Sequence, residues 1–134
     1  MSKVSALCAI ISNNKNEFLL IKRAREPFKN QWALISGIGH TKITEDLDDA
    51  IKAEVKGDIG CNFEGKYLYT VPVENDATIN KIIVYSGNID SQKVKITKRL
   101  VSDYKWRSKE EISALDILAF EHLDILKKFI DENL

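Results

Sequence analysis

The chain has 134 residues and carries 20 Lys and Arg against 20 Asp and Glu, for a formal net charge of zero. That length fits one domain spanning 1–134, with roughly two thirds of the unfolded chain's surface buried on folding. Balanced charge excludes long-range attraction to nucleic acid or to a membrane surface as the source of function, and no stretch approaches the ~18 consecutive apolar residues of a spanning helix.

The expectation is therefore a cytoplasmic monomer or homodimer with a local site for a small molecule, and with neither nucleic acid nor membrane as partner. The opening "MSKVSALCAIIS" has too brief an apolar run, and no small-residue cleavage site after it, to serve as a signal peptide. It reads as a buried strand. Cys8 and Cys61 have no second Cys or His at metal-ligand spacing, which predicts reduced thiols in a core.

In chain order, "VSALCAIIS" and "FLLIKRAR" are two β-rich runs separated by the polar cluster "NNKNE", which predicts a hairpin. "EPFKNQW" suits a loop, and "ALIS" is a short strand running into a turn made permissive by Gly37 and Gly39. From Asp46, the apolar Leu47, Ala50, Ile51 and Val55 recur at helical spacing, with Thr44 available as N-cap, three aspartates near the positive helix end, and Gly60 as the stop. "GKYLYTVPVE" and "INKIIVYSGNI" read as strands. "VSDYKW" follows, then a short helix in "SKEEISAL" and a long one over "DILAFEHLDILKKFIDENL". Strands around an early helix, with helices at the end, describe a mixed α/β layer fold.

Chemistry concentrates on the first helix. Glu54 and Asp58 lie four residues apart, so their directions differ by about 40°. Glu54 also borders the apolar stripe of Leu47, Ile51 and Val55, where partial desolvation shifts its pKa or recruits a cation. The bland alternative is two solvated acids on a helix flank. Lys22, Arg23, Arg25 and Lys29 follow the second strand, where cations meet phosphates or simply form a basic surface. His40 and His122 are lone histidines without spaced partners, more often structural than ligating. Trp32, Tyr67, Tyr69 and Trp106 read as packing, with base stacking the other use of the first three.

Gly39, five residues, Glu45, seven residues, and then "AEVKGDIGC" over 53–61 together resemble the box of the Nudix hydrolase family, G-x(5)-E-x(7)-R-E-U-x-E-E-x-G-U, where U is a bulky apolar residue. Gly39, Glu45, Glu54, Val55 and Gly60 match. Ala53 stands for the arginine, Gly57 for the first glutamate of the pair, and Asp58 for the second. "LLIKRA", Trp32 and "YKWRSKEEI" also look like landmarks of the family. The turn "WALISGIG" lacks the proline of W-x-L-P-G-G and is two residues longer if Gly39 is the box glycine. Leu100 stands where many members place a supplementary glutamate.

The resemblance implies a Nudix-type α/β/α sandwich with a mixed β-sheet between helices. It also implies cleavage of the pyrophosphate bond of a nucleoside diphosphate linked to another moiety, with Mg2+ or Mn2+ as cofactor. Carried over residue by residue, Glu54 is the catalytic carboxylate and chief metal ligand, with Asp58 beside it. By their place beside the presumed cleft, Arg23, Arg25, Gly39 and His40 are the substrate-binding candidates, and Glu45 is a candidate support of the loop or helix, although Ala53 cannot be its arginine partner. Ala53, Gly57 and Leu100 leave three functions open: a slow or specialised hydrolase, a catalytically inactive nucleotide-binding or partner-binding module, and a structural interaction domain.

Overall fold

The computed structural model describes residues 3–38, 41 and 44–133. Among these, seven strands make one mixed sheet: β1 (Val4–Ser12), β2 (Phe18–Arg23), β3 (Trp32–Ala33), β4 (Ile35–Gly37), β5 (Lys66–Pro72), β6 (Ile79–Asn88) and β7 (Val101–Arg107). The order is β3-β2-β1-β6-β5, with β4 added to β1 and β7 added to β2.

The opening hairpin is present, but it is paired only at its turn, where Ser12 faces Phe18. Asn13 holds that turn, its Oδ1 accepting from the N–H groups of Lys15 and Glu17. Beyond the turn the two strands part. β1 runs parallel to β6, with Cys8 opposite Val84, and antiparallel to β4, with Cys8 opposite Ser36. β2 instead pairs with β7, Leu20 facing Lys105.

Both faces of β1 are covered, which is why its sequence is a continuous apolar run and not an alternation. Side chains alternate along a strand, so Leu7, Ala9 and Ile11 point to one core and Ala6, Cys8 and Ile10 to the other. Helix α1 (Leu47–Ile59) supplies Ala50, Ile51, Val55 and Ile59 to the first core. The short helix α2 (Lys109–Ser113) and helix α3 (His122–Asn133) supply Ile112, Ile125 and Leu126 to the second. The result is an α/β/α sandwich around a mixed sheet.

Both ends of α1 are explicitly satisfied. Its N-cap is Asp46, not Thr44: Asp46 Oδ1 accepts from Asp49 N at 3.2 Å, while Thr44 Oγ1 accepts from Asp46 N at 3.1 Å, one step further out. At the other end Gly60 takes the left-handed conformation, φ 70°, that a glycine adopts without steric cost. The carbonyls of Gly57, Asp58 and Ile59, unpaired within any helix end, accept from Thr97 Oγ1 (2.6 Å), Thr97 N (3.0 Å) and Lys95 N (2.8 Å). The 90–100 segment thus clamps the acid-bearing end of α1 in place.

The C-terminal helix is shorter than its apolar pattern predicts, beginning at His122 and not near Asp116. Ala119 N, which a helix would bond to the carbonyl four residues back, donates instead to Trp32 O at 2.8 Å. Phe120 then takes φ 61°, which no helix can continue through. α2 is held by a capping box in which Ser108 and Glu111 each receive the other's backbone N–H.

Candidate functional site

α1 presents two rows to the sheet. Leu47, Ile51, Val55 and Ile59 form one at four-residue spacing. The neighbouring row starts with Ala50 and continues with Glu54 and Asp58, both buried, at 6 % and 5 % exposure. Two acids therefore occupy places the helix period would give to apolar residues. Burying them costs stability, so their presence calls for a use.

Glu54 lies against β4. A Cβ on Gly37 would fall 2.6 Å from Glu54 Cδ and nearer still to Oε1, so only a glycine permits this approach. Burial raises the Glu54 pKa above the ordinary carboxylate value, and the Arg25 charge pulls it partly back. Asp58 sits where its charge acts on Arg23. Arg23 is 9 % exposed, with its Nε donating to Pro27 O at 2.6 Å. Burial and the neighbouring Arg25 weaken its hold on the proton, and Asp58 and Glu26 strengthen it. An arginine nevertheless stays charged.

These groups line a cavity of about 670 Å³, together with Gly57, Arg99 and His122. His122 is 2 % exposed and its Nδ1 accepts from Leu34 N at 3.0 Å. A neutral imidazole with that nitrogen accepting carries its proton on Nε2. Burial, reinforced by Arg23, lowers its pKa to about 3. The ring therefore stays neutral in the cavity wall. The apolar Ile38, Ile79 and Ile82 and the acidic Asp76 also line the cavity.

Of the sequence-based candidates, the structure brings Glu54, Asp58, Arg23 and Arg25 together on this cavity. Gly39 and His40 lie outside the described residues. Glu45 is exposed, ahead of the helix. Among the described residues, neither Lys22 nor Lys29 lines the cavity. Tyr67, expected in a core, is 52 % exposed on edge strand β5. Trp32 packs partly buried against the second core under Lys105 Nζ, 4.1 Å from its ring centroid, and Tyr69 donates its hydroxyl hydrogen to Ile125 O. Trp106 is partly buried against the first core.

Sequence reasoning missed Arg99, Phe120 and His122 as cavity residues, and it missed Gly37 as the glycine that receives Glu54. The only sequence signal for Gly37 is its place in "SGIG", where two glycines compete for one role.

Among the described residues no three His, Cys, Asp or Glu side chains converge as a metal site. Position 57 is an exposed glycine and Leu100, not a carboxylate, lines the cavity beside it. The two buried acids each have an arginine charge acting on them or answering theirs. Among the described residues the cavity keeps two carboxylates of the box, Glu54 and Asp58, with no third beside them on α1.

Comparison with models of known families finds no match, and no curated protein matches by sequence. Solved structures do match. The NUDIX domain of Shewanella oneidensis NrtR, complexed with ADP ribose, is 21% identical with a TM-score of 0.83, over 100% of this chain and 90% of that one. The MutT protein from Methanosarcina mazei Go1 is 24% identical with a TM-score of 0.76, over 99% and 98%. A bifunctional NMN adenylyltransferase/ADP ribose pyrophosphatase from Francisella tularensis, complexed with AMP and a Mn ion, is 18% identical with a TM-score of 0.75, over 98% of this chain and 42% of that one. The chain has the Nudix-domain fold, the fold of the Nudix hydrolases.

Proposed function

We propose that this protein is a Nudix-fold binder of a nucleoside diphosphate linked to another moiety, in which arginines take the place of the catalytic metal. One observation carries the reading: the buried acids of the box face Arg23 and Arg25 across a single cavity, with no third carboxylate at 57 or 100. A diphosphate entering this cavity meets Arg23, Arg25 and Arg99, whose guanidiniums match phosphate oxygens in charge and geometry. Arg23 and Arg25 already answer the buried acids, so a cation would have to compete with them for Asp58 and Glu54. The NrtR domain complexed with ADP ribose supports the ligand class. Zero net charge supports a small molecule and not a nucleic acid. Among the described residues no helix is long and apolar enough to cross a membrane, and two buried free thiols, Cys8 and Cys61, accord with a cytoplasmic setting.

The second reading is a slow hydrolase dependent on Mg2+ or Mn2+. It is favoured by Glu54 lying beside Gly37 with a raised proton affinity, which suits a general base. Calorimetry with ADP and ADP-ribose, run in EDTA and again in magnesium or manganese, separates the two. The binding reading expects equal affinity with and without the ion and no release of AMP. Binding that requires the ion, or turnover abolished by Glu54→Gln, would overturn it in favour of the hydrolase.

A further inference from the structure

The acid-bearing end of α1 and the arginines of the cavity come from parts of the chain remote in sequence, yet one residue stands where they join. Thr97 donates twice to the helix end, from Oγ1 to Gly57 O at 2.6 Å and from its backbone N to Asp58 O at 3.0 Å. Its own carbonyl accepts from Leu100 N and Val101 N, both at 2.9 Å, which closes the turn over 98–100. Arg99, which lines the cavity, lies on that turn. Leu100 O then accepts from Ala24 N at 3.1 Å, and Ala24 stands between Arg23 and Arg25. A continuous series of hydrogen bonds therefore runs from the helix through Thr97 to the backbone beside each arginine.

Two of the carbonyls at the helix end, those of Asp58 and Ile59, are served by the backbone N–H groups of Thr97 and Lys95, which nearly any residue there would supply. The bond to Gly57 O needs a hydroxyl. Gly57 is exposed, so water can replace a lost donor, and the bond contributes little to stability. What it adds is orientation. A β-branched side chain is stiff about χ1, so fixing Thr97 Oγ1 on Gly57 O fixes the direction of the backbone two residues before Arg99. The segment also lies close against the helix end, where a Cβ on Gly60 would fall 3.1 Å from Lys95 O.

We propose that Thr97 is a positioning residue for the ligand: its hydroxyl anchors the 98–100 turn on α1 and so presents Arg99 to the diphosphate beside Arg23 and Arg25. This rests on the binding reading above and adds to it the group that sets the geometry of the arginines. The Arg99 side chain is long and exposed, and on a free loop it would lose much freedom on meeting a phosphate. A turn pinned to a helix end has given up part of that freedom beforehand, so less is lost on binding. Because Thr97 also holds the Asp58 carbonyl, the acidic and the basic sides of the cavity are tied together at one point.

The test titrates ADP calorimetrically, well below the melting temperatures, into wild type, Thr97→Val, Thr97→Ser, Arg99→Gln and the double variant Thr97→Val with Arg99→Gln. Arg99→Gln is expected to weaken ADP about tenfold or more, as loss of a charge-assisted bond does. Thr97→Val keeps the shape and the backbone donor, and is expected to weaken ADP about three- to tenfold, with Thr97→Ser within about twofold of wild type. The double variant is expected to bind no more weakly than Arg99→Gln alone, since residues that act through one another do not add. A role confined to stability would leave no such coupling. The proposal is overturned if the two losses multiply in the double variant, if Thr97→Val or Arg99→Gln binds ADP like wild type, or if Thr97→Ser loses as much as Thr97→Val. A Thr97→Val chain that does not fold overturns it as well, since the hydroxyl would then be a condition of folding and not of placement. Wild type that binds no ADP refutes the binding reading itself, and the proposal falls with it.

Discussion

The apolar rows of the sandwich and the ionisable wall of the cavity lie within one helix turn of each other, yet they answer to different physics. Ile51, Val55 and Ile59 gain from leaving water, and their removal would cost what any core truncation costs. Arg23, Glu54, Asp58 and His122 are buried too, and for each of these polar groups leaving water is a cost. One region explains why the chain folds. The other works against folding, and on the binding reading it is kept for a ligand, so substitutions in the two should move stability and affinity in different directions.

The largest effect belongs to His122. Its folded pKa, about 3, lies below the ordinary histidine value of 6.5. A base whose folded pKa is depressed contributes stability that is complete above the unfolded pKa and is lost as pH falls through the folded one. At ~1.4 kcal/mol per unit, the loss between pH 6.5 and 3 is on the order of 3–5 kcal/mol. Urea midpoints taken from pH 7 downward should fall in wild type, and the His122→Asn variant should lose that portion of the slope whatever its own stability at pH 7. Parallel slopes would show that the ring does not titrate in isolation from water.

On the apolar side, Ile51→Ala should destabilise by about 2–5 kcal/mol, since the side chain is fully enclosed between α1 and the sheet. ADP affinity, measured well below the melting temperature, should stay near wild type. A matched loss of affinity would mean that packing and site cannot be separated on α1. Glu54→Gln should do the reverse. A raised carboxyl pKa makes the folded state bind its proton more tightly, so wild type is most stable below the unfolded pKa and loses stability as pH rises through the folded one. The amide removes that penalty. Because Arg25 is exposed and rehydrates easily, the variant should gain about 1 kcal/mol at pH 7. The gain should vanish in acid, where wild type is protonated.

The apolar region was the more legible one in the sequence. The strand runs, the helix from Leu47 and its stop at Gly60 follow from period and backbone freedom, which are local properties. The mutual position of Glu54 and Asp58 is local too, fixed by a spacing of four. The rest of the wall is not. Phe120 and His122 reach the cavity because Ala119 N finds Trp32 O, a partner far away in sequence, and so breaks the helix that the pattern alone would start earlier. Gly37 receives Glu54 because β4 pairs with β1, and pairing is invisible to a reading of "SGIG". Asp46 and Thr44 are both competent caps, and only the geometry of the entering chain distinguishes them.

The smallest change, and the one that tests the boundary between the two regions, is Gly57→Glu. Position 57 is exposed, and a Cβ there meets nothing within 4 Å, so the substitution requires no repacking. Replacing glycine in a helix should stabilise by roughly 0.5–1 kcal/mol. That gain is reduced by like charges one and three residues away, at Asp58 and Glu54, both buried and poorly screened by water. In the absence of divalent ions the melting temperature should therefore shift little. With manganese the expectation divides. If Arg23 and Arg25 occupy the electrostatic place of the metal, a third carboxylate still has to compete with two guanidiniums, and the melting temperatures of wild type and variant should rise together as manganese is added. If the acids are a depleted metal site, the variant should bind the ion and its melting temperature should climb more steeply, following concentration over dissociation constant. A parallel titration keeps the ionisable wall as an anion site. A steeper one makes it a metal centre lacking a single ligand, and assigns Glu54 and Asp58 to hydrolysis.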